Sequence, residues 1–198
     1  VHQVPRGQKL RGVSTLYKAD GSVALQWVKS AEDREKQAEI IREHAEALAE
    51  DLPKFKPIPL ASGRVHDELM SLIPMGDPHF GMYAWAEETG ADFDLGIAQR
   101  DLCASVDYLV RQVPRCGRCV IVNLGDFFHA DNMAGITTAS GNILDMDTRL
   151  PKMYRVGVTA LRQCITSALK RHEQVEVINA VGNHDEVLSF TLSILLAQ

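Results

Sequence analysis

The sequence has no apolar run approaching the roughly 20 residues needed to cross a bilayer. Its longest candidate, Leu188 to Ala197, is broken by Ser189, Thr191 and Ser193. No basic-then-apolar segment opens the chain, so no secretory signal is expected. The first residue is Val rather than Met, as in a trimmed chain. Cysteine is scarce, 4 in 198 residues, which excludes a disulfide scaffold at this size. Cys116 and Cys119 form a C-x-x-C, but a zinc knuckle needs a second such pair, and Cys103 and Cys164 do not supply one. The motif reads first as a turn entering a strand, with a structural metal or redox role as the minor reading. Reduced thiols and a cytoplasmic location are expected. No internal repeat is visible.

What is present is ordinary for a globular protein: 45% hydrophobic and 24% charged residues, which excludes a chain disordered throughout or a collagen-like fibre. The net charge of −5 argues against a general nucleic-acid binder, yet it is unevenly spread. Residues 1–30 carry five cationic side chains against Asp20, a net of +4, so the remainder carries −9. A basic start on an acidic body either touches phosphate or is simply solvated.

Four segments are expected: a basic hairpin segment over 1–30, an amphipathic helix over 31–52, a Pro-rich linker over 53–66, and a main domain over 67–198. Asp20-Gly21 between apolar runs predicts a hairpin over 12–28. Ser30 is the expected N-cap of the helix. Ala38, Ile41, Ala45, Leu48 and Leu52 step by three and four, one apolar seam for docking or for homo-oligomer formation. Pro53, Pro57 and Pro59 mark the linker. Beyond it, strands near 69–75, 119–124 and 175–181 alternate with helices near 94–113, 151–171 and 186–197. This β-α-β-α-β-α order predicts an α/β fold with a largely parallel sheet.

All three strands end alike, in small residues followed by carboxylates, amides and imidazoles. The ends read Gly76-Asp77-Pro78-His79, Gly125-Asp126-Phe127-Phe128-His129 and Gly182-Asn183-His184-Asp185. In a parallel sheet the carboxyl ends of the strands share one edge, where ligands bind. Residues about 50 apart in sequence are therefore expected to converge. Asp, His and Asn are oxygen and nitrogen donors suited to Mn²⁺, Fe or Zn²⁺, and two such ions can share a hydroxide and clamp a phosphate. Each motif alone fits a turn or a helix cap; their repetition at consecutive strand ends favours a site.

The order D-x-H, G-D-x-x, G-N-H-D resembles the calcineurin-like metallophosphoesterase superfamily over residues 70–190. The resemblance implies a β-sandwich flanked by helices, of which this chain carries the N-terminal βαβαβ portion. It implies two divalent metal ions, Mn²⁺ foremost, held by Asp77, His79, Asp126 and Asn183, with Asp126 bridging. It places His184 beside the substrate phosphate, and a hydroxide between the ions as the in-line nucleophile. The form G-D-F-F-H is similar to the Mre-type DNA-repair nucleases, which places His129 near the scissile phosphate and implies phosphodiester substrates, DNA among them. Asp185 is expected to orient His184. The family has further histidines downstream, whereas no His follows His184 here. The chain is thus expected to be C-terminally incomplete, inactive as it stands, and short of cover on one sheet face. The segment Asp77 to Asp94 is similar to phosphoesterases of tailed phages and prophages. Two other readings stay open: a non-enzymatic phage or DNA-associated interaction module, and a phosphomonoesterase or nucleotide phosphodiesterase on the same fold. His2, His44, His66 and His172 fit no motif position and are read as solvated or packing residues.

Overall fold

A computed structural model describes residues 4–5, 7–50 and 58–197. The chain divides into two compact units, residues 1–52 and 53–197.

In the first unit, β1 (Gln8–Tyr17) and β2 (Val23–Glu32) pair antiparallel. The ladder is longer than the 12–28 expected from the turn signal, because polar residues on both sides continue the pairing. Gly21 supplies the left-handed residue of the turn (φ 82°), and Asp20 accepts bonds from the Ser22 backbone N (2.9 Å) and hydroxyl (2.6 Å). Helix α1 spans Arg34–Glu50. Ser30 is not its cap, since it lies inside β2 with its hydroxyl on Gln8. Asp33 takes that place and accepts from Lys36 N at 3.4 Å. His2 and residues 51–57 lie outside the described residues, as do the side chains of His44 and of the α1 seam.

The second unit runs β3 (Met70–Met75), α2 (Ala86–Thr89), α3 (Leu95–Gln112), β4 (Arg118–Asn123), α4 (Leu150–Leu169), β5 (Gln174–Asn179), α5 (Glu186–Leu196). The three strands form one parallel sheet in the order β3-β4-β5. Parallel strands need long crossovers, and α3 and α4 supply them. Asp94 caps α3 by accepting from Ile97 N at 2.7 Å, and Asp147 accepts from Leu95 N at 3.1 Å. Pro151 opens α4, where its missing N–H costs nothing. The core lies between the inner sheet face (Ile73, Met75, Cys119, Ile121) and the helices, with Val106, Val110, Leu161 and Cys164 buried. On the other face Leu72 is 56% exposed and Val122 half-buried, yet Val120 between them is buried. No second sheet packs there within this unit among the described residues, so what is seen is a mixed α/β arrangement rather than a sandwich.

Residues 58–66 are irregular but not a free linker. Ala61 N donates to Lys170 O (2.9 Å), His66 N to Arg115 O (2.8 Å), and the Arg115 guanidinium to Gly63 O (2.8 Å). This strap closes the amino-terminal edge of the sheet. His172 is fully buried there, its Nδ1 on Cys116 O at 2.7 Å, a packing role. Cys116 precedes β4 and Cys119 lies in it, the turn-into-strand arrangement. Burial, with Cys116 beside it, pushes the Cys119 thiol up to about 11. No helix among the described residues is long and apolar enough to cross a membrane.

Candidate metal centre

The carboxyl ends of the strands are joined turn to turn. Leu124 N donates to Met75 O and Ala180 N to Asn123 O, both at 2.9 Å, so parallel pairing carries on past the strands. His79 N donates to Asp126 O (3.0 Å), Phe80 N to Phe127 O (2.9 Å) and His129 N to Phe80 O (2.9 Å). Beneath them Phe80, Phe127 and Phe128 are fully buried, with ring centroids 4.9 Å (80–127) and 5.0 Å (127–128) apart. These buried rings anchor the turns at Phe80 and Phe127–Phe128, next in sequence to His79 and His129.

The backbone is strained where the polar residues sit. Asp77 (φ 37°), His79 (43°) and Asp126 (47°) are the non-glycine residues with positive φ among those described. Such positions carry a cost of about 1–3 kcal/mol and cluster at functional sites. Gly182 permits the closest approach: a Cβ there would lie 2.1 Å from Asp126 Oδ1 and 2.2 Å from Asp126 N.

Three imidazoles converge on this edge. Metal-binding atoms of His79, His129 and His184 all lie within 4.8 Å of one another, and no other His/Cys/Asp/Glu group among the described residues does so. His79 Nδ1 and His129 Nδ1 are 3.2 Å apart. Two nitrogens at about 2.0–2.1 Å from one tetrahedral ion lie roughly 3.3 Å apart, so this spacing fits shared coordination. His184 Nδ1 is 3.0 Å from His129 O. A carbonyl only accepts, so this Nδ1 carries the proton and Nε2 of the neutral ring keeps its lone pair. Burial, then the His184 ring, lowers the His79 pKa, against the charges of Asp126, Asp77 and Asp185. Burial, with His79 and His184, pushes His129 down to about 4. Both rings are therefore neutral near pH 7, the form that binds metal.

No protein-family model, no curated protein and no solved structure matches this chain. The geometry and the motif order carry the reading of the site.

The other expected residues divide. Asp126 belongs to the centre: its Oδ1 accepts from His184 N at 2.8 Å. Asp77 is exposed at the rim, where its charge acts on His79. Asn183 is exposed beside His184. Asp185 does not orient the His184 ring. It is fully buried, and its carboxylate accepts from Phe128 N (3.0 Å), Gly182 N (3.1 Å) and the Ser189 hydroxyl (3.3 Å). The ring is held instead by the carbonyl of His129. Two residues were missed. Asp131 accepts from Val187 N and Leu188 N, both at 2.8 Å, and so caps α5. Asp145, in the long loop before α4, places its charge near His129. Neither had a local signal: Asp131 caps a helix through N–H groups 56 and 57 residues later in the chain, and Asp145 acts on His129 through space.

Proposed function

We propose that this chain is a metal-dependent phosphoesterase acting on phosphodiesters, with nucleic acid as its substrate class and two divalent ions, Mn²⁺ foremost, as cofactors. The observation that carries the reading is the convergence of His79, His129 and His184 with Asp126 at the carboxyl edge of a parallel sheet. The motif order supports the same reading, as does the left-handed backbone at Asp77, His79 and Asp126. Asp77, His79, Asp126 and Asn183 would hold the ions, with the His129 and His184 rings close enough to add to the set. A divalent pair supplies a nucleophile from water at neutral pH and stabilises charge on the phosphoryl oxygens.

The protein's own groups do the rest. Asp126 ties the second turn to the third through His184 N, so a ligand felt at one is felt at the other. The Nδ1–H of His184 is committed to His129 O, which aims Nε2 away from that carbonyl. Nε2 would then be available to a metal ion or to the substrate phosphate. His129 supplies the fixed carbonyl as well as its ring, so its backbone positions His184. The buried phenylalanines keep the turns in register.

The test is hydrolysis of bis(p-nitrophenyl) phosphate and p-nitrophenyl phosphate by the full-length protein with Mn²⁺ added, since this chain is expected to be inactive as it stands. Turnover of the diester in preference to the monoester, lost in His184→Ala, is the expected result. No turnover of either ester by the full-length protein, at metal concentrations where binding is measurable, overturns it.

A further inference from the structure

We propose that the β1–β2 hairpin is a stacking platform for single-stranded nucleic acid, a binding surface separate from the metal centre and independent of the phosphoesterase reading. In the ladder Trp27 stands opposite Ser14, Leu25 opposite Leu16, Val23 opposite Tyr17 and Lys29 opposite Gly12. Opposed residues share a face, so one side of the ribbon carries Leu25, Trp27 and Lys29 in a row; the register shifts between Leu16 and Tyr17, which leaves Tyr17 at the turn end, outside that row. Gln26 and Thr15, hydrogen-bonded at 2.9 Å, mark the other side. Trp27 is 50% exposed and Tyr17 61%. Facing Trp27 and Lys29 are only Ser14 and Gly12, and a Cβ at Gly12 would meet nothing within 4 Å. The indole is therefore flanked by small residues rather than covered.

Charge selects the occupant. Lys9, Arg11, Lys18 and Lys29 are exposed, and none is in an ion pair among the described residues. Asp20 is the lone carboxylate from Gln8 to Ala31, and it is engaged in the turn with Ser22. An exposed indole among unpaired cations matches the groove-and-platform design that holds bases by their faces and phosphates by charge. A second copy is the poorer fit. Lys29 lies towards one end of the face and Lys18 just past the other, so two ribbons packed face to face oppose like charges in either direction. A two-stranded ribbon is also marginal alone, and a bound strand adds cover it otherwise lacks.

The test uses the full chain and a fluorescein-labelled 20-nucleotide oligo(dT), read by anisotropy at 50 and 200 mM salt. Binding is expected at 50 mM, weaker at 200 mM, and weakened roughly tenfold by Trp27→Ala. Trp27→Phe restores most of the loss and Trp85→Phe changes nothing. Lys9→Ala with Lys29→Ala makes the salt slope shallower by about 0.7 for each phosphate that is no longer neutralised. Circular dichroism of each variant checks the fold, and Trp27→Phe keeps the test decisive if Trp27→Ala unfolds. Absence of binding at 50 mM overturns the proposal. So does equal binding of duplex DNA, equal affinity of Trp27→Ala, or a dimer by light scattering that Trp27→Ala disperses.

Discussion

His79 and His129, 50 residues apart in the chain, turn their Nδ1 atoms towards each other across 3.2 Å. In the metal-free protein one of the pair must donate and the other accept, since two lone pairs at this distance repel. A cation held by the group could satisfy both at once, and His184 lies within reach of the same ion. His79→Ala and His129→Ala are each expected to lower Mn²⁺ or Zn²⁺ affinity roughly tenfold or more in calorimetric titration. His66→Ala, in a half-buried His on the strap, is expected to leave affinity unchanged. Equal affinity in all three variants removes the imidazole group from metal binding.

The same rings predict an acid-sensitive fold. His129 falls from 6.5 to about 4, through burial and then the neighbouring His79 and His184, and His79 is lowered as well. A depressed folded pKa means that the unfolded chain binds protons first. The contribution is therefore fully present above pH 6.5 and is lost as pH falls through the window down to about 4. Urea midpoints of the metal-free protein should drop between pH 7 and pH 4.5. His129→Gln should flatten that part of the profile. A midpoint that stays level or rises over this window contradicts the assignment.

Gly182 is fixed by packing rather than by chain flexibility. A methyl group there would overlap Asp126 Oδ1 and the Asp126 backbone N at 2.1 and 2.2 Å. The backbone atom cannot swing aside, so the third turn must shift away from the second. Gly182→Ala is expected to destabilise by about 2 kcal/mol and to weaken metal binding with it. Thermal melts with and without Mn²⁺ measure both. A variant with unchanged melting temperature and affinity would show that the turns are free to move apart.

Much of this was legible in the sequence because it is local. Periodicity and Pro151 place α3 and α4, and apolar runs ending in glycine place the strands, so the shared edge follows from alternation alone. The paired turns were therefore expected at residues 77–79, 126–129 and 183–185. What could not be read is set by contacts distant in sequence. Asp185 looks like a site carboxylate from its neighbours, yet three donors from Phe128, Gly182 and Ser189 claim it. Residues 58–66 look like a linker from their prolines and small residues, yet Lys170 and Arg115 hold them to the sheet edge. Ser30 fits a helix cap until strand pairing, a tertiary preference, claims it.

Asp185 is accordingly a stability residue. Asp185→Ala leaves the buried Phe128 N–H and the part-buried Gly182 N–H without their acceptor, a loss of about 2–4 kcal/mol. Asp185→Asn keeps one acceptor oxygen but sets an NH₂ against the other N–H, so it should recover only part of that. Guanidinium unfolding of both variants orders them. If Asp185→Ala unfolds at the wild-type midpoint while diester hydrolysis is lost, the residue is catalytic after all.

Asp126 is the reverse case, a residue that chemistry needs more than the fold does. Its Oδ1 accepts from His184 N at 2.8 Å, and the amide oxygen of an Asn can accept the same bond. Its left-handed backbone, φ 47°, is also one that Asn tolerates well. Asp126→Asn therefore preserves both local constraints while it removes one negative charge from the centre. A neutral amide cannot bridge two cations as a carboxylate does, and imidazoles alone supply no charge to offset theirs. The expected outcome is a melting temperature near wild type, weakened Mn²⁺ binding, and diester hydrolysis reduced at least a hundredfold. Asp126→Ala serves as the contrast, because it loses the bond to His184 N as well and should cost about 1–2 kcal/mol of stability. Retention of activity within tenfold in Asp126→Asn, with metal affinity intact, would place the bridging charge on another carboxylate, and Asp145 or Asp77 would be the next to substitute.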